Sequence, residues 1–368
     1  MCWYTTSGGS ACYASWKEQS NCTYGVEGVT ETTNTNDLSG GGCFRELGKP
    51  SVTDPTADGY CRTIADAKQN VANWYQYYRR RSFVAKAATA EVVDGYPGFR
   101  YGLSLINDYD DLFVPMLSSD VGGYLNNTAT YEDHNEDLVE AFFKYEWQAF
   151  GTPLRRGLAR VGSYYQSGVP SGAGVNSPFT DSSKYDTDSP IHHECQQNFS
   201  LLFSDGYWNG SIQAPSGDTD GDGFSVSLAD VARYYYETDL RNDLDDDVPP
   251  NDFDDAEWQH MVTFTVAFGV EGQLVDSDGD GWPNNTTVNG TDFIVDANND
   301  DVPEEDGDWG DAPGTSDQSP EKIDDLWHAA FNSREPLSPP RPRQKWSQVY
   351  KRLSTRLRTE RPRLPRLP

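Results

Sequence analysis

Two positions in this chain could supply oxygen ligands to one divalent cation. Asp205 follows the apolar run 198–204, a pattern typical of a buried strand ending at the carboxyl edge of a sheet, where open α/β sheets bind ligands. Thr152 precedes Pro153, and proline is favoured in the first turn of a helix, so Thr152 is predicted to lie directly before one. A hydroxyl and a carboxylate on neighbouring loops would suit Mg²⁺, which prefers oxygen ligands.

Two acidic segments share the pattern Asp-x-Asp-Gly-Asp-Gly, which opens a calcium loop of the EF-hand type. The candidate ligands are Asp218, Asp220, Asp222 and Asp230 in the first segment, and Asp276, Asp278 and Asp280 in the second. Position twelve of the first segment is Ala229 and the acid follows at Asp230, which departs from the pattern. Dense carboxylates repel one another unless a cation neutralises them, so Ca²⁺ is predicted in both segments. The alternative is a solvated acidic turn without a metal.

Five phrases resemble the von Willebrand factor A (vWA) region of the PilC/PilY family of type IV pilus tip adhesins. They are residues 70–88, 151–168, 195–210, 258–272 and 322–334. By this resemblance Thr152 and Asp205 belong to the second and third metal-binding loops of a vWA domain. The first loop of that fold, Asp-x-Ser-x-Ser, does not occur in the sequence. We therefore expect a vWA-type site that is incomplete here, in a chain truncated at its amino end.

The resemblance implies a Rossmann-like α/β fold, in which helices flank a central, mostly parallel sheet. It also implies secretion through the periplasm, display at the pilus tip or outer surface, and assembly with minor pilins. Such domains adhere to a host or surface ligand when an acidic side chain of the partner completes the metal coordination. A stand-alone secreted calcium-binding adhesion module is the alternative.

An enzymatic function is not expected. The adjacent histidines at 192 and 193, together with His260, suggest a zinc hydrolase as a distant alternative, but the chain contains no H-E-x-x-H motif. Neighbouring histidines point in different directions on either a helix or a strand, so the pair is predicted to be a surface feature. The sequence also lacks G-x-S-x-G, Walker and G-x-G-x-x-G motifs.

Charge and hydropathy exclude two classes of partner. The 368 residues carry a net charge of -29, which disfavours nucleic acid, and no apolar run is long enough to span a membrane. The carboxyl-terminal tail has the opposite character, with eleven basic residues against two acidic ones from Arg334 onward. We expect a reading-frame break near residues 334–336; a native basic arm that binds nucleic acid or membrane is the alternative.

The six cysteines form an even set, five of them in a polar region rich in Gly, Ser, Thr and Asn. Disulfides are predicted there, because such a region gains stability from cross-links. The candidates are Cys2, Cys12, Cys22, Cys43, Cys61 and Cys195. A zinc site or free thiols are the alternatives. No secretory signal is visible at the amino end, although disulfides favour an extracellular location.

Three regions are predicted along the chain. They are a Cys-containing loop region at 1–62, a vWA-like domain at 63–334 with inserts at about 168–190, 210–255 and 273–320, and a disordered or frameshifted basic tail at 335–368. Apolar periodicity predicts the elements of the middle region. Helices are expected at 64–90, 133–150, 154–166, from Ala229 and at 323–332, and strands at 99–106, 198–204 and 261–269.

Overall fold

A computed structural model describes most of the middle region. The described residues are 81–107, 110–118, 131–146, 151–204, 207–211, 215–250, 254–267, 272–277, 282–288, 291–296, 307–309 and 319–333, with the backbone of six short strands between 4 and 63. Contacts divide the chain into two compact units, Met1–Val84 and Ala85–Pro368. The basic tail lies outside the described residues.

In the part of the first unit that the structure describes, the backbone forms three short antiparallel strand pairs. They are β1 (Tyr4–Thr6) with β2 (Gly9–Ala11), β3 (Tyr24–Val26) with β4 (Val29–Glu31), and β5 (Cys43–Glu46) with β6 (Tyr60–Thr63). The predicted Cys-containing loop region at 1–62 therefore includes short strand pairs, which satisfy part of its backbone hydrogen bonding locally.

From residue 81 onward, the described residues form five helices and six strands. The helices are α1 (Arg81–Gly95), α2 (Glu132–Lys144), α3 (Leu154–Ser167), α4 (Leu228–Glu237) and α5 (Glu321–Asn332). The strands are β7 (Leu103–Ser104), β8 (Phe113–Val114), β9 (Asn198–Ser204), β10 (Met261–Ala267), β11 (Thr286–Val288) and β12 (Thr291–Phe293).

The parallel pair of β9 and β10 organises the second unit. Asn198 lies opposite Met261 at one end of the ladder and Ser204 opposite Ala267 at the other. The chain returns from β9 to β10 through α4, as a parallel connection requires. Helices α3, α4 and α5 pack around the pair through one apolar cluster that includes Leu154, Leu158, Leu228, Met261 and Leu326. The arrangement is α/β, and every sheet among the described residues has two strands.

Most of the predicted elements are confirmed. Helices α3 and α5 and strand β9 match their predicted ranges within two residues. Strand β10 spans Met261–Ala267 and all seven of its residues are buried, whereas residues 268–269 of the predicted strand lie outside the described part. Helix α1 ends at Gly95, beyond the predicted end at about residue 90, whereas residues 64–80 lie outside the described part. Helix α2 ends at Lys144, earlier than predicted, because Tyr145 is extended.

Two predictions about connecting segments are wrong. The strand expected at 99–106 is only the two-residue β7, paired with β8. The richness of residues 168–190 in Gly, Ser and Pro predicts an excursion over the surface, but Phe179 is 1% exposed and Tyr185 is 7% exposed. Both residues pack with Leu138 of α2 in a second apolar cluster. The insert therefore contributes part of the core beneath it.

A third apolar cluster joins α5 to the second acidic insert. Trp327 and Phe331 of α5 pack against Leu274, Phe293 and Trp309, all of them buried. The cluster therefore holds helix α5 beside the first acidic segment. None of the helices in the described ranges combines the length and the apolarity needed to cross a bilayer.

Candidate metal centre

The first acidic segment folds into a tight loop around the carboxylate of Asp218. Its Oδ1 accepts a hydrogen bond from the backbone N–H of Gly221 at 2.8 Å, and its Oδ2 accepts one from Gly223 at 3.0 Å. Both glycines have positive φ, 82° and 91°, in a region that residues with a Cβ rarely adopt. The glycines of the motif therefore allow the chain to wrap around the first carboxylate.

The extra residue of this loop is accommodated at Val226. Its φ is 68°, an uncommon conformation for a β-branched residue, and its N–H donates to Gly217 O at 3.0 Å. The chain then enters α4 through a capping box, in which Ser227 and Asp230 bond to each other's backbone N–H. Asp230 also accepts the N–H of Thr219 at 2.5 Å. The acid at position thirteen thus reaches back to the start of the loop.

The predicted ligands of the first segment lie together. Asp218, Asp220 and Asp230 each offer a carboxylate oxygen, and these oxygens lie within 4.8 Å of one another. Burial, reinforced by the charges of Asp222 and Asp230, raises the pKa of Asp220 to about 7. Burial also raises the pKa of Asp222. A divalent cation would relieve this repulsion, and oxygen ligands of this kind suit Ca²⁺.

Helix α5 contributes two residues that the sequence reasoning missed. Asn332 donates from Nδ2 to Asp220 Oδ2 at 2.7 Å, and His328 Nε2 lies 3.5 Å from the same oxygen. Burial lowers the pKa of His328 to about 3. The two residues are four apart and so share one face of the helix, and that spacing is the only local signal that the sequence offered.

The predicted vWA-type site is described in part. Thr152 donates its N–H to Asn209 Oδ1 at 2.8 Å, and Thr152 O accepts the N–H of Asn209 at 2.9 Å. The loop before α3 therefore contacts the segment that follows β9, as the resemblance implies. Asp205 lies outside the described residues, so its approach to Thr152 stays a prediction.

The second acidic segment is also described in part. Asp276 is half-buried, and Ser277 donates its N–H to Asn284 Oδ1 at 2.6 Å, which closes this turn. Asp278 and Asp280 lie outside the described residues. The prediction of a second calcium loop therefore remains a prediction.

Asp325 of α5 connects the end of β9 to the start of α4. Its carboxylate accepts hydrogen bonds from Trp208 Nε1 at 2.7 Å and from the N–H groups of Leu228 and Ala229 at 2.9 and 3.0 Å. The two backbone donors belong to the first turn of α4, which has no intrahelical acceptors for them. Burial raises the pKa of Asp325 to about 6, although these three hydrogen bonds act to lower it. The carboxylate thereby holds α4 and its preceding acidic loop against α5.

The indole of Trp208 is itself held by two cations. The Arg155 guanidinium carbon lies 3.9 Å from the ring centroid, and Lys322 Nζ lies 4.8 Å from it. Arg155 Nη2 also donates to Gly210 O at 2.5 Å, and Nη1 donates to Val226 O. Helices α3 and α5 thus both position the segment after β9 and the end of the acidic loop.

The raised pKa of Asp324 predicts the direction in which stability changes with pH. Its carboxylate is 1% exposed and accepts the N–H groups of Gln273 and Leu274 at 2.8 and 3.1 Å. Burial raises its pKa to about 7. Between the ordinary carboxyl pKa of about 4 and this value, the folded state binds a proton that the unfolded state releases. The free energy of unfolding is therefore expected to fall, for this group, by up to about 1.4 kcal/mol for each pH unit of rise.

Urea unfolding of the wild type and of Asp324→Asn at pH 5 and pH 8 measures this effect. The wild type is expected to be more stable at pH 5, and the variant is expected to show a flatter dependence because it cannot titrate at this position. Asp254, whose pKa is lowered on balance by His260 despite burial, does not contribute in this window. Equal pH dependence in both proteins would show that Asp324 is not the group responsible.

The remaining candidate residues lie in separate contacts. Cys195 is exposed and has no disulfide within the part of the chain that the structure describes. The other five cysteine side chains lie outside it, so the disulfide prediction is untested. His192 Nε2 lies 2.9 Å from Asp186 Oδ1, and His260 Nε2 lies 2.9 Å from Asp254 Oδ2.

Comparison with known proteins shows that the chain is similar to type IV pilus biogenesis factors. The type IV pilus biogenesis factor PilY1 of Pseudomonas aeruginosa PAO1 is 28% identical over 304 residues, which cover 73% of this chain and 24% of that protein. The PilY1 proteins of strains PAK and UCBPP-PA14 are 28% and 26% identical over 307 and 306 residues. No protein-family model matches the chain. No solved structure matches it either. The chain is homologous to these pilus biogenesis factors and spans about a quarter of their length.

Proposed function

We propose that this chain acts in type IV pilus biogenesis as a cell-surface adhesion module, with a vWA-like α/β domain whose acidic loop binds Ca²⁺. The observation that carries the pilus function is the homology to PilY1, which covers 73% of the chain. Pilus-associated relatives suggest an extracellular or surface location. Minor pilins and a host or surface ligand are the proposed partners, and no catalytic step is part of the proposal.

The geometry of the unit around β9 and β10 supports the vWA-like part of the proposal. The parallel pair, the crossover through α4, and the contact between Thr152 and Asn209 place two loops together where open α/β sheets bind ligands. Thr152 and Asp205 would give these loops one hydroxyl and one carboxylate for Mg²⁺. This site would be weak by itself, because Mg²⁺ requires near-octahedral oxygen coordination.

The convergence of Asp218, Asp220 and Asp230 supports the calcium part. Asp218 and Asp230 already accept backbone hydrogen bonds, which hold their oxygens in place before any cation arrives. A preformed loop loses less conformational entropy on binding. With three carboxylates, an affinity in the range of extracellular calcium modules, about 10⁻⁴ to 10⁻³ M, is expected.

Gene deletion in the source organism tests the pilus function. Loss of the chain is expected to reduce surface pili counted by electron microscopy, and the wild-type gene should restore them. A complementing gene that carries Asp218→Asn is expected to restore pili incompletely if calcium is needed. Normal piliation after deletion would contradict the pilus function.

The stand-alone adhesion module is the second candidate, and the acidic loop favours it because nothing in that geometry requires a pilin. Pull-down from surface extracts with the purified chain separates the two. Recovery of minor pilins supports the pilus function, whereas surface adhesion without pilins supports the stand-alone module.

A further inference from the structure

The Nε2 atom of His328 faces the acidic loop without a hydrogen-bond partner. The residue is 4% exposed, and its Nε2 is buried and lacks a partner that meets hydrogen-bond geometry. The nearest carboxylates are Asp220, whose Oδ2 lies 3.5 Å from Nε2, and Asp222, whose Oδ2 lies 3.8 Å from Nδ1. A buried imidazole Nε2 that lies close to a carboxylate without bonding to it is costly unless another group completes the contact.

The orientation of this imidazole is fixed by an aromatic neighbour. Trp309 stacks on it with ring centroids 4.8 Å apart and an interplanar angle of 3°. Phe331 of α5 packs against the other part of the same indole, with centroids 4.8 Å apart. His328 therefore cannot turn its ring away from the loop without disrupting the third apolar cluster.

The separations match those between two ligands of one small cation. Ligand atoms of Asp220, Asp222 and His328 all lie within 4.8 Å of one another. A tetrahedral ion with bonds of about 2.1 Å holds its ligand atoms roughly 3.4 Å apart. A direct hydrogen bond would need a shorter approach, and Asp220 Oδ2 already accepts one from Asn332.

We propose that Asp220, Asp222 and His328 form a binding site for a first-row transition metal ion, with Zn²⁺ as the representative, which ties the acidic loop to helix α5. Three protein ligands leave a fourth position for water in a tetrahedral site. The imidazole provides the selectivity, since nitrogen suits Zn²⁺ whereas Ca²⁺ requires six to eight oxygens.

This site shares Asp220 with the oxygen cluster of Asp218 and Asp230. The inference refines the calcium proposal by adding a second cation position to the same loop, but it does not require that calcium binds. Zn²⁺ and Ca²⁺ are expected to interact through their common ligand, so that each changes the affinity for the other.

Metal titration of purified variants tests the inference. Zn²⁺ affinity is measured by competition with a chromogenic chelator, and Ca²⁺ affinity by calorimetry. His328→Gln is expected to weaken Zn²⁺ binding by at least about 10-fold while changing Ca²⁺ affinity by less than about 3-fold, and Asp222→Asn is expected to weaken Zn²⁺ binding by a similar factor. Asp218→Asn is the matched control, because it removes a ligand of the oxygen cluster only and should weaken Ca²⁺ binding instead.

The outcomes distinguish the two proposals. Zn²⁺ affinity that is unchanged in both His328→Gln and Asp222→Asn overturns the transition-metal site, whatever happens to calcium. Absent Ca²⁺ binding with His328-dependent Zn²⁺ binding overturns the calcium proposal and leaves this site in place. Asp222 is partly exposed, with a side chain 22% accessible, so its substitution tests the site even if His328→Gln fails to fold.

Discussion

The Gly162→Ala substitution is expected to lower the free energy of unfolding by about 3 kcal/mol, because overpacking of a rigid contact displaces a buried ring. A Cβ at Gly162 would lie 2.4 Å from ring atoms of Tyr235 on α4. That ring is 5% exposed, and its hydroxyl donates to Ala159 O at 3.0 Å. Helices α3 and α4 would have to separate to admit the methyl group. Urea denaturation measures the change.

Gly157→Ala in the same helix is the matched control. A Cβ there would meet Ile106 at 3.4 Å, an ordinary van der Waals contact. Alanine gains about 1 kcal/mol of helix propensity over glycine, so this variant is expected to be as stable as the wild type or more so. Equal losses in the two variants would show that the close approach of α3 to Tyr235 does not determine stability.

The Asp325→Ala substitution is expected to cost about 3 kcal/mol or more, because it leaves buried donors without acceptors. The affected donors are Trp208 Nε1 and the first two N–H groups of α4. Loss of the carboxylate should also release the indole from its position between Arg155 and Lys322. Thermal unfolding, with near-ultraviolet circular dichroism to follow the tryptophan environment, measures both effects.

Two controls separate the hydrogen bonds from the charge. Asp325→Asn keeps an acceptor oxygen and the shape of the side chain, so a smaller loss is expected. Asp255→Ala removes one negative charge from an exposed position and should change stability by less than about 0.5 kcal/mol. A loss at Asp325 no larger than that at Asp255 would contradict a bridging role for this carboxylate.

The sequence predicted well those elements whose apolar pattern is local. Helix α3 and strand β9 each have a clear local apolar pattern, and both lie at the predicted positions. Strand β10 alternates apolar and hydroxyl side chains, a pattern that also occurs in strands with one exposed face. The structure buries both faces, because Thr265 Oγ1 can donate to Leu326 O at 2.8 Å on the packed helix. Alternation in polarity thus did not report exposure.

The first acidic segment shows that counting residues along a motif can mislead. The acid at position thirteen departs from the EF-hand pattern, yet Asp230 reaches the loop because Val226 takes a left-handed conformation. Nothing in the sequence signals positive φ at a valine. The conformation depends on tertiary contacts, including the bond from Arg155 to Val226 O.

His328 could not be placed from the sequence for a different reason. It lies more than 100 residues after the acidic loop, and only the packing of α4 against α5 brings the two together. The segment 322–334, which contains His328, supports the family resemblance but does not indicate which residues lie near His328 in space. Contacts between distant segments of a chain depend on the whole fold, so a sequence motif predicts only the loop that contains it.

Thermal unfolding in the presence and absence of Ca²⁺ tests most directly whether the acidic loop is a cation site. At a concentration 10 to 100 times the dissociation constant, Ca²⁺ is expected to add about 1.4 to 2.7 kcal/mol, a rise of roughly 2–8 °C in Tm. EDTA should reverse the rise, and Asp218→Asn should abolish most of it. A concentration of about 10 mM Ca²⁺ lies well above the expected dissociation constant. If the wild-type transition is unchanged at that concentration, the account is contradicted.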